Sequence, residues 1–304
     1  MNNALTVTLR DLMSLETEAH RLPSPPDWLA PGTPGGEKTS RRQGRGLNFE
    51  SLRRYQPGDD VRLIDWGATA RLRQPWIRSY AEECERPVFL ILDQRSDMFF
   101  STRRQTKSVA AAITAGLYAW RAWHDKDRLG CITFNDSQIA VRASQAPTRN
   151  LGPVFNDICS YNQRLAQQAP QDPDEDISLN RVLERALGLV PRGAWLALIS
   201  DFHDLDAQGR SLLARLKRRC AISAFIMTDD VHLRLPDRGL FPVHYQGRRT
   251  RIALNPHLRQ QIRQALIDHH AELRQGLERL GIRVRPLVTR RDLLDQLQQG
   301  GGDA

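Results

Sequence analysis

From residue 87 onward, short continuous apolar runs alternate with longer stretches in which apolar residues recur every three or four positions. VFLILD (Val88–Asp93) is apolar up to its last residue, as a strand buried on both faces requires. Lys107–Trp123 is Ala-rich with a helical period. RLGCITF (Arg128–Phe134) and SQIAVRA (Ser137–Ala143) read as strands joined through Asn135-Asp136, a tight hairpin signal. A helix near Asn150–Gln167, an acidic loop QDPDED (Gln171–Asp176) and a helix over Leu179–Leu189 follow. WLALIS (Trp195–Ser200), AISAFIM (Ala221–Met227) and IRVRPLV (Ile282–Val288) are further strands, separated by helices over Ala207–Arg218 and Pro256–Leu280. The last helix opens with a capping box from Thr289 to Asp292. Apolar strands alternating with helices predict a three-layer, doubly wound α/β domain with a mostly parallel sheet over 87–299, followed by a flexible tail over 300–304.

The pattern before residue 87 is different. Thr8–Leu22 can form an amphipathic helix with Leu9, Leu12, Met13 and Leu15 near one face, giving an N-terminal helix over 1–22. Residues 23–46 are a Pro/Gly-rich linker; the RRQGRG run at its end lacks the spacing of a phosphate-cradling loop. Residues 47–86 form an arm that mixes charges and large apolar residues. Within it, Gln56-Pro57-Gly58-Asp59 reads as a type II turn, Pro fixing one φ and Gly58 supplying the positive one. The expectation is an arm packed across the α/β domain, with Tyr55, Ile64 and Trp66 buried. Asp59, Asp60 and Asp65 then face Arg54, Arg62 and Arg71. The same residues could instead form a partner-docking surface.

Composition limits the classes of function. The 304 residues are 40% apolar and 26% charged, which fits a soluble globular protein. No run approaches the ~18 apolar residues that span a bilayer, and no basic segment precedes an apolar one at the N-terminus. Cys84, Cys131, Cys159 and Cys220 are scattered without a CxxC pair, so reduced thiols in the cytoplasm are expected. The net charge is +9, and of 44 basic residues only four are Lys, leaving 40 Arg. These fall in isolated pairs along the chain rather than in one stripe with aromatics, so a nonspecific nucleic-acid binder is the least favoured reading.

Ligands of open α/β sheets gather beyond the carboxyl ends of the strands. Three polar clusters are expected there: DQRSDM (Asp93–Met98), DISLN (Asp176–Asn180) and SDFHD (Ser200–Asp204). Their carboxylate and hydroxyl oxygens are the donors that hard divalent cations prefer. The Asp-containing turn after a buried strand, Ser178–Leu183 and the SDF at Ser200–Phe202 resemble a von Willebrand factor A-like domain. That resemblance implies Asp93, Asp97, Ser178 and Asp201 as the oxygen donors to Mg²⁺ or Mn²⁺.

The segment RRYQPGDDVRLIDWGATAR (Arg53–Arg71), then IRSYAEECERP and LDQRSDM, narrows the match. It closely resembles the bacterial family called domain of unknown function 58, from about Gly44 to Leu297. The resemblance implies a chain encoded beside a MoxR-type AAA+ ATPase and working with it.

The sequence departs from the metal-site pattern at Arg95, where the first coordinating hydroxyl belongs. A guanidinium has no lone pair for a metal. At ~4 Å and an effective dielectric of about 20, its repulsion of a divalent ion is about 8 kcal/mol. The expectation is that Arg95 replaces the cation, bridging Asp93 and Asp201, while Asp97 and Ser178 remain as remnants.

No GxSxG, HExxH or Walker pattern is present, and His269-His270 are adjacent on a helix, where neighbours point apart. The reading is a non-enzymatic adaptor that works with the ATPase on a client protein. The alternative is a metal-dependent ligand-binding domain that needs no ATPase.

Overall fold

The computed structural model describes residues 5–23, 47–82, 87–101, 104–145, 150–167, 177–229, 239–245 and 248–299. The linker beyond residue 23, Cys84, the acidic loop 171–176 and the tail 300–304 lie outside the described residues. The chain divides into two compact units, Met1–Ala30 with Arg86–Ala304, and Pro31–Glu85.

The N-terminal helical pattern is split in two, α1 (Leu9–Ser14) and α2 (Glu16–Ala19). Thr8 caps α1 in a reciprocal box with Asp11. Leu12, Leu15, Ala19 and Leu22 are buried, whereas Leu9 and Met13 face outward.

The smaller unit is a hairpin of β1 (Leu47–Arg54) and β2 (Trp76–Glu82), spanned by a 3-10 turn (Val61–Leu63) and α3 (Trp66–Leu72). Gly58, at φ 104°, and an Asp59 N–H to Gln56 carbonyl bond of 3.0 Å form the type II turn. The side chains expected to pair act differently. Asp59 takes a two-pronged bond from Arg53, at 2.7 and 2.8 Å. Asp60 caps the 3-10 turn through the Arg62 N–H, and Asp65 caps α3 through the Ala68 N–H at 2.9 Å. Arg54, Arg62 and Arg71 are exposed. Trp66 corrects the expectation of a buried aromatic, being 71% exposed. The Asp65 cap starts the helix so that Ala68, not Trp66, is buried in this unit; Tyr55 and Ile64 are half-buried.

The larger unit is built on one six-stranded sheet. Its strands are β3 (Pro87–Asp93), β4 (Arg128–Phe134), β5 (Ile139–Gln145), β6 (Trp195–Ser200), β7 (Ala221–Thr228) and β10 (Arg283–Val288), in spatial order β5-β4-β3-β6-β7-β10. Only β5 runs antiparallel. Helices α4 (Lys107–His124), α5 (Gly152–Gln167) and α9 (Leu293–Gln299) pack on one face, over Leu90, Leu92, Cys131 and Phe225. Helices α6 (Leu179–Leu189), α7 (Ala207–Lys217) and α8 (Pro256–Arg279) cover Phe89, Ile91, Phe134 and Leu198 on the other. The unit is thus mixed α/β in three layers, as the alternation predicts.

Small residues let α4 carry a further layer outside the three. A Cβ on Gly116 would meet Leu15 at 2.9 Å and Leu12 at 3.0 Å, so α1 and α2 lie close over this helix. The Trp120 indole N–H donates to the Leu12 carbonyl at 2.9 Å, fastening α1.

Two further features differ from the pattern-based expectation. A second hairpin, β8 (Gly239–Tyr245) with β9 (Arg248–Leu254), precedes α8. At the last helix, Thr289 donates its hydroxyl to Asp229 at 2.7 Å, and Asp292 accepts the Leu294 and Asp295 N–H groups instead. Asp292 is therefore the cap and the Thr289 box does not form.

Leu12→Ala should cost about 2–5 kcal/mol, because it empties a fully enclosed position under Trp120. Trp66→Ala should change stability by no more than about 0.5 kcal/mol. Urea unfolding of both variants checks the pair, and a large loss at Trp66 would mean that it is packed.

Candidate functional site

The strand order reverses between β3 and β6: β4 and β5 lie to one side of that pair, β7 and β10 to the other. Such a switch point opens a crevice beyond the carboxyl ends of the two strands. Asp93 ends β3 and Ser200 ends β6. A 3-10 turn (Ser96–Met98) follows β3. After β6 the backbone turns sharply at Phe202, whose φ of 58° is left-handed although its ring is 1% exposed. That reversal is how Asp201, His203 and Asp204 all come to bear on the crevice.

Arg95 lies at the centre, its side chain 6% exposed. Its Nη2 donates to Asp93 at 2.7 Å and its Nε at 3.1 Å, while Nη1 and Nη2 donate to Asp204 at 2.7 and 2.9 Å. Asp93 is wholly buried and also accepts the Ser200 hydroxyl at 2.7 Å and the Arg95 N–H at 3.0 Å. Asp204 accepts the Leu179 N–H at 2.8 Å, which ties the start of α6 to the same cluster. Burial alone would lower the Arg95 pKa, but Asp93 and Asp204 outweigh it and raise it above the ordinary range.

A second cation holds the neighbouring carboxylate. Lys107, in the first turn of α4, forms a short bond to Asp201. On the other side of Asp201, His203 approaches it with Nδ1 at 3.2 Å and approaches Asp97 with Nε2 at 3.0 Å. Both ring nitrogens face carboxylate oxygens, so full bonding requires the imidazolium. Burial would lower its pKa, yet Asp201, joined by Asp97, holds it above the ordinary histidine range against the opposing charge of Arg95. Burial would raise Asp201, but Lys107 and His203 hold it well below the usual carboxylate range. Asp204 is likewise lowered, by Arg95 and the Leu179 N–H, against its own burial.

The sequence-predicted residues are therefore only partly brought together. Asp93, Arg95, Asp97 and Asp201 share the crevice. Ser178 is the N-cap of α6, its hydroxyl accepting the Arg181 N–H at 3.3 Å. Arg95 bridges Asp93 to Asp204, not to Asp201 as expected, because Lys107 already holds Asp201. Asp204 lies in the SDFHD cluster expected here but its role was not assigned; Lys107 and Asp136, which accepts the Ser96 N–H at 3.0 Å, were not anticipated. Lys107 had one signal, a lone Lys after a capping Thr in a chain whose cations are nearly all Arg. The donors do not fit a divalent ion. It would have to displace Arg95 from Asp93 and Lys107 from Asp201. Among the described residues no three His, Cys, Asp or Glu side chains are grouped to hold a metal.

A family model described as protein of unknown function DUF58 matches residues 51–272, from the smaller unit through the crevice to α8. The chain belongs to that family. Uncharacterized proteins of Mycobacterium bovis and Mycobacterium tuberculosis are 26% identical to it over 257 residues, covering 83% of this chain and 77% of theirs. The crystal structure of the conserved hypothetical protein BatB from Bacteroides thetaiotaomicron covers 71% of this chain and 96% of its own, at a TM-score of 0.41 and 12% identity. No helix among the described residues of this DUF58 chain is long and apolar enough to cross a membrane.

Two predictions follow from the charge pattern. Asp201 and Asp204 are depressed in the fold, so their contribution is present above the ordinary carboxylate pKa of about 3.9 and lost as pH falls through their folded values. His203 is raised, so its contribution is full below about 6.5 and lost as pH rises through its folded value. The Tm difference between wild type and His203→Asn should therefore shrink on going from pH 6 to pH 8 (roughly the span around that reference pKa). A constant difference would mean His203 does not titrate between its two carboxylates. The second concerns metal. Arg95→Ser leaves Lys107 on Asp201, so only Arg95→Ser combined with Lys107→Ala should gain a clear Tm increase with Mn²⁺, and adding Asp201→Ala should abolish it.

Proposed function

We propose that this DUF58 chain is a non-enzymatic adaptor, with a von Willebrand factor A-like unit, that works in the cytoplasm with a MoxR-type AAA+ ATPase on a client protein. The observation that carries the reading is that the crevice's reactive groups are spent on one another. The Ser200 hydroxyl donates to buried Asp93, and both His203 nitrogens are engaged by carboxylates. A hydrolytic or transfer centre needs a nucleophile beside a base that can accept its proton. Here the arrangement fixes the shape of a surface instead. The sheet order, with its antiparallel third strand, supports the von Willebrand factor A-like assignment. The RxYxPGDDxRxIDW string supports the ATPase partnership, through the family resemblance. The metal-dependent alternative is weakened by Arg95 and Lys107, which occupy the oxygens it requires.

The test is reconstitution with the MoxR-type ATPase encoded nearest to this chain's gene. Co-elution in at least one nucleotide state and a reproducible change in ATP turnover are expected. Absence of binding in the apo, ADP and ATP-analogue states would sink the adaptor reading.

A further inference from the structure

We infer that the smaller unit carries a docking surface, centred on Trp66, for an acidic segment with apolar side chains on a protein partner. Three large apolar residues between positions 61 and 72 face solvent: Val61 at 59%, Trp66 at 71% and Leu72 at 53% exposure. Val61 lies in the 3-10 turn before α3 and Leu72 at the end of that helix, so the two flank Trp66 along the chain. Trp and Arg are also the residues that most often carry interface energy. Ala70 is exposed four residues after Trp66, on the same side of α3.

The apolar residues sit on a fixed frame. Asp65 caps α3 and its own N–H donates to the Trp76 carbonyl at 2.8 Å. The Trp76 N–H donates to the Thr69 hydroxyl at 3.0 Å, and Asp59 accepts both Arg53 and the Gln56 N–H. A surface held this way loses little further freedom on binding.

Charge selects the occupant. Asp59, Asp60 and Asp65 are turned onto Arg53 and backbone N–H groups. Arg54, Arg62 and Arg73 are exposed, and among the described residues no carboxylate pairs with them; the Arg71 Nε reaches only the Gly67 carbonyl at 3.3 Å. Asp59, Asp60 and Asp65 are thus already engaged by donors of this unit, while the exposed guanidiniums keep their charge for an acidic partner. Nucleic acid is the lesser fit, because Val61 and Leu72 offer aliphatic area that a phosphate backbone does not use. The natural occupant is an acidic segment of the ATPase, so in that part the inference rests on the adaptor reading.

The test uses the full chain, Trp66→Ala, and the charge reversal Arg62→Glu with Arg71→Glu and Arg73→Glu, each first shown by melting to retain the wild-type Tm. The probes are a fluorescein-labelled peptide of repeating Glu-Leu-Glu-Phe, its Lys-for-Glu counterpart, a single-stranded oligonucleotide of similar length, and the ATPase itself. The acidic peptide should bind wild type, each variant should weaken it about tenfold or more, and the Lys peptide should not bind. The same variants should weaken the ATPase complex by a similar factor. If the ATPase binds wild type and variants alike, the surface is wrong and the adaptor reading stands. If it does not bind wild type, the adaptor reading fails, and the acidic peptide alone decides the surface. Equal binding of that peptide to all three proteins, no binding at all, or tighter Trp66-dependent binding of the oligonucleotide would each overturn the inference.

Discussion

The Arg95 guanidinium, buried between Asp93 and Asp204, is the contact on which the geometry of the switch point depends. It is held from three sides, by Asp93 at the end of β3, Asp204 beyond β6 and the Phe134 ring at the end of β4, 5.2 Å from Cζ, and Asp204 in turn accepts the Leu179 N–H at the start of α6. Taking a guanidinium and a carboxylate out of water costs several kcal/mol per ion, so such a pair adds little net stability. Its value is directional. Five donor hydrogens in a rigid plane fit only one arrangement of the two carboxylates, and that arrangement aligns the loops after β3 and β6. A bound divalent ion could impose similar order, but would lose it whenever the ion left. A covalently attached cation makes the order permanent.

From the same point a chain of satisfied amides runs under the sheet's edge to the N-terminal segment. Gln94, fully buried, donates to the Asp93 and Ser108 carbonyls at 2.9 and 3.0 Å and accepts from Asn162 at 2.8 Å. Asn162 in turn accepts the Val7 N–H at 2.7 Å, and Gln163 donates to the Val7 carbonyl at 3.1 Å. Each amide of this chain is paired, which is what makes a buried polar network specify one position rather than destabilise. The segment before α1 is therefore registered against the crevice loop by hydrogen bonds, and against α4 by Leu12 and Leu15.

Strands buried on both faces could be read directly from the chain, because a continuous apolar run admits few alternatives; β3, β4, β6 and β7 begin and end within about two residues of the runs that predict them. The hairpin of β8 and β9 could not, since Pro242 and the Arg-rich Arg248–Arg251 break any strand signature. The clusters DQRSDM and SDFHD could be placed at strand ends, but not the pairing within them. Choosing Asp204 over Asp201 as the partner of Arg95 depends on the left-handed turn at Phe202, and nothing in a Phe announces a positive φ. Lys107 was hidden for another reason: its partner lies 94 positions away, brought close only by the reversal of strand order. In the smaller unit three acidic residues were read as ion-pair partners; Asp59 is one, though with Arg53, while Asp60 and Asp65 were better placed to cap turns two and three residues ahead.

The two units use the same residue types in opposite ways, and this is the strongest argument that the Arg excess is functional in places and neutral elsewhere. In the crevice, Asp93, Asp97, Asp201 and Asp204 face Arg95, Lys107 and His203, so each cationic side chain is already paired within the site. There an added ligand at Asp93 or Asp201 would have to break a paired, largely desolvated contact before making one of its own. In the smaller unit, caps and a turn engage Asp59, Asp60 and Asp65, and leave guanidiniums and large apolar groups exposed. There a ligand breaks nothing and gains both charge and buried area. A surface of the first kind maintains shape; a surface of the second kind takes a partner. If one chain carries both, the place to look for recognition is the second, even though the first occupies the position where sheets of this topology usually bind their ligands.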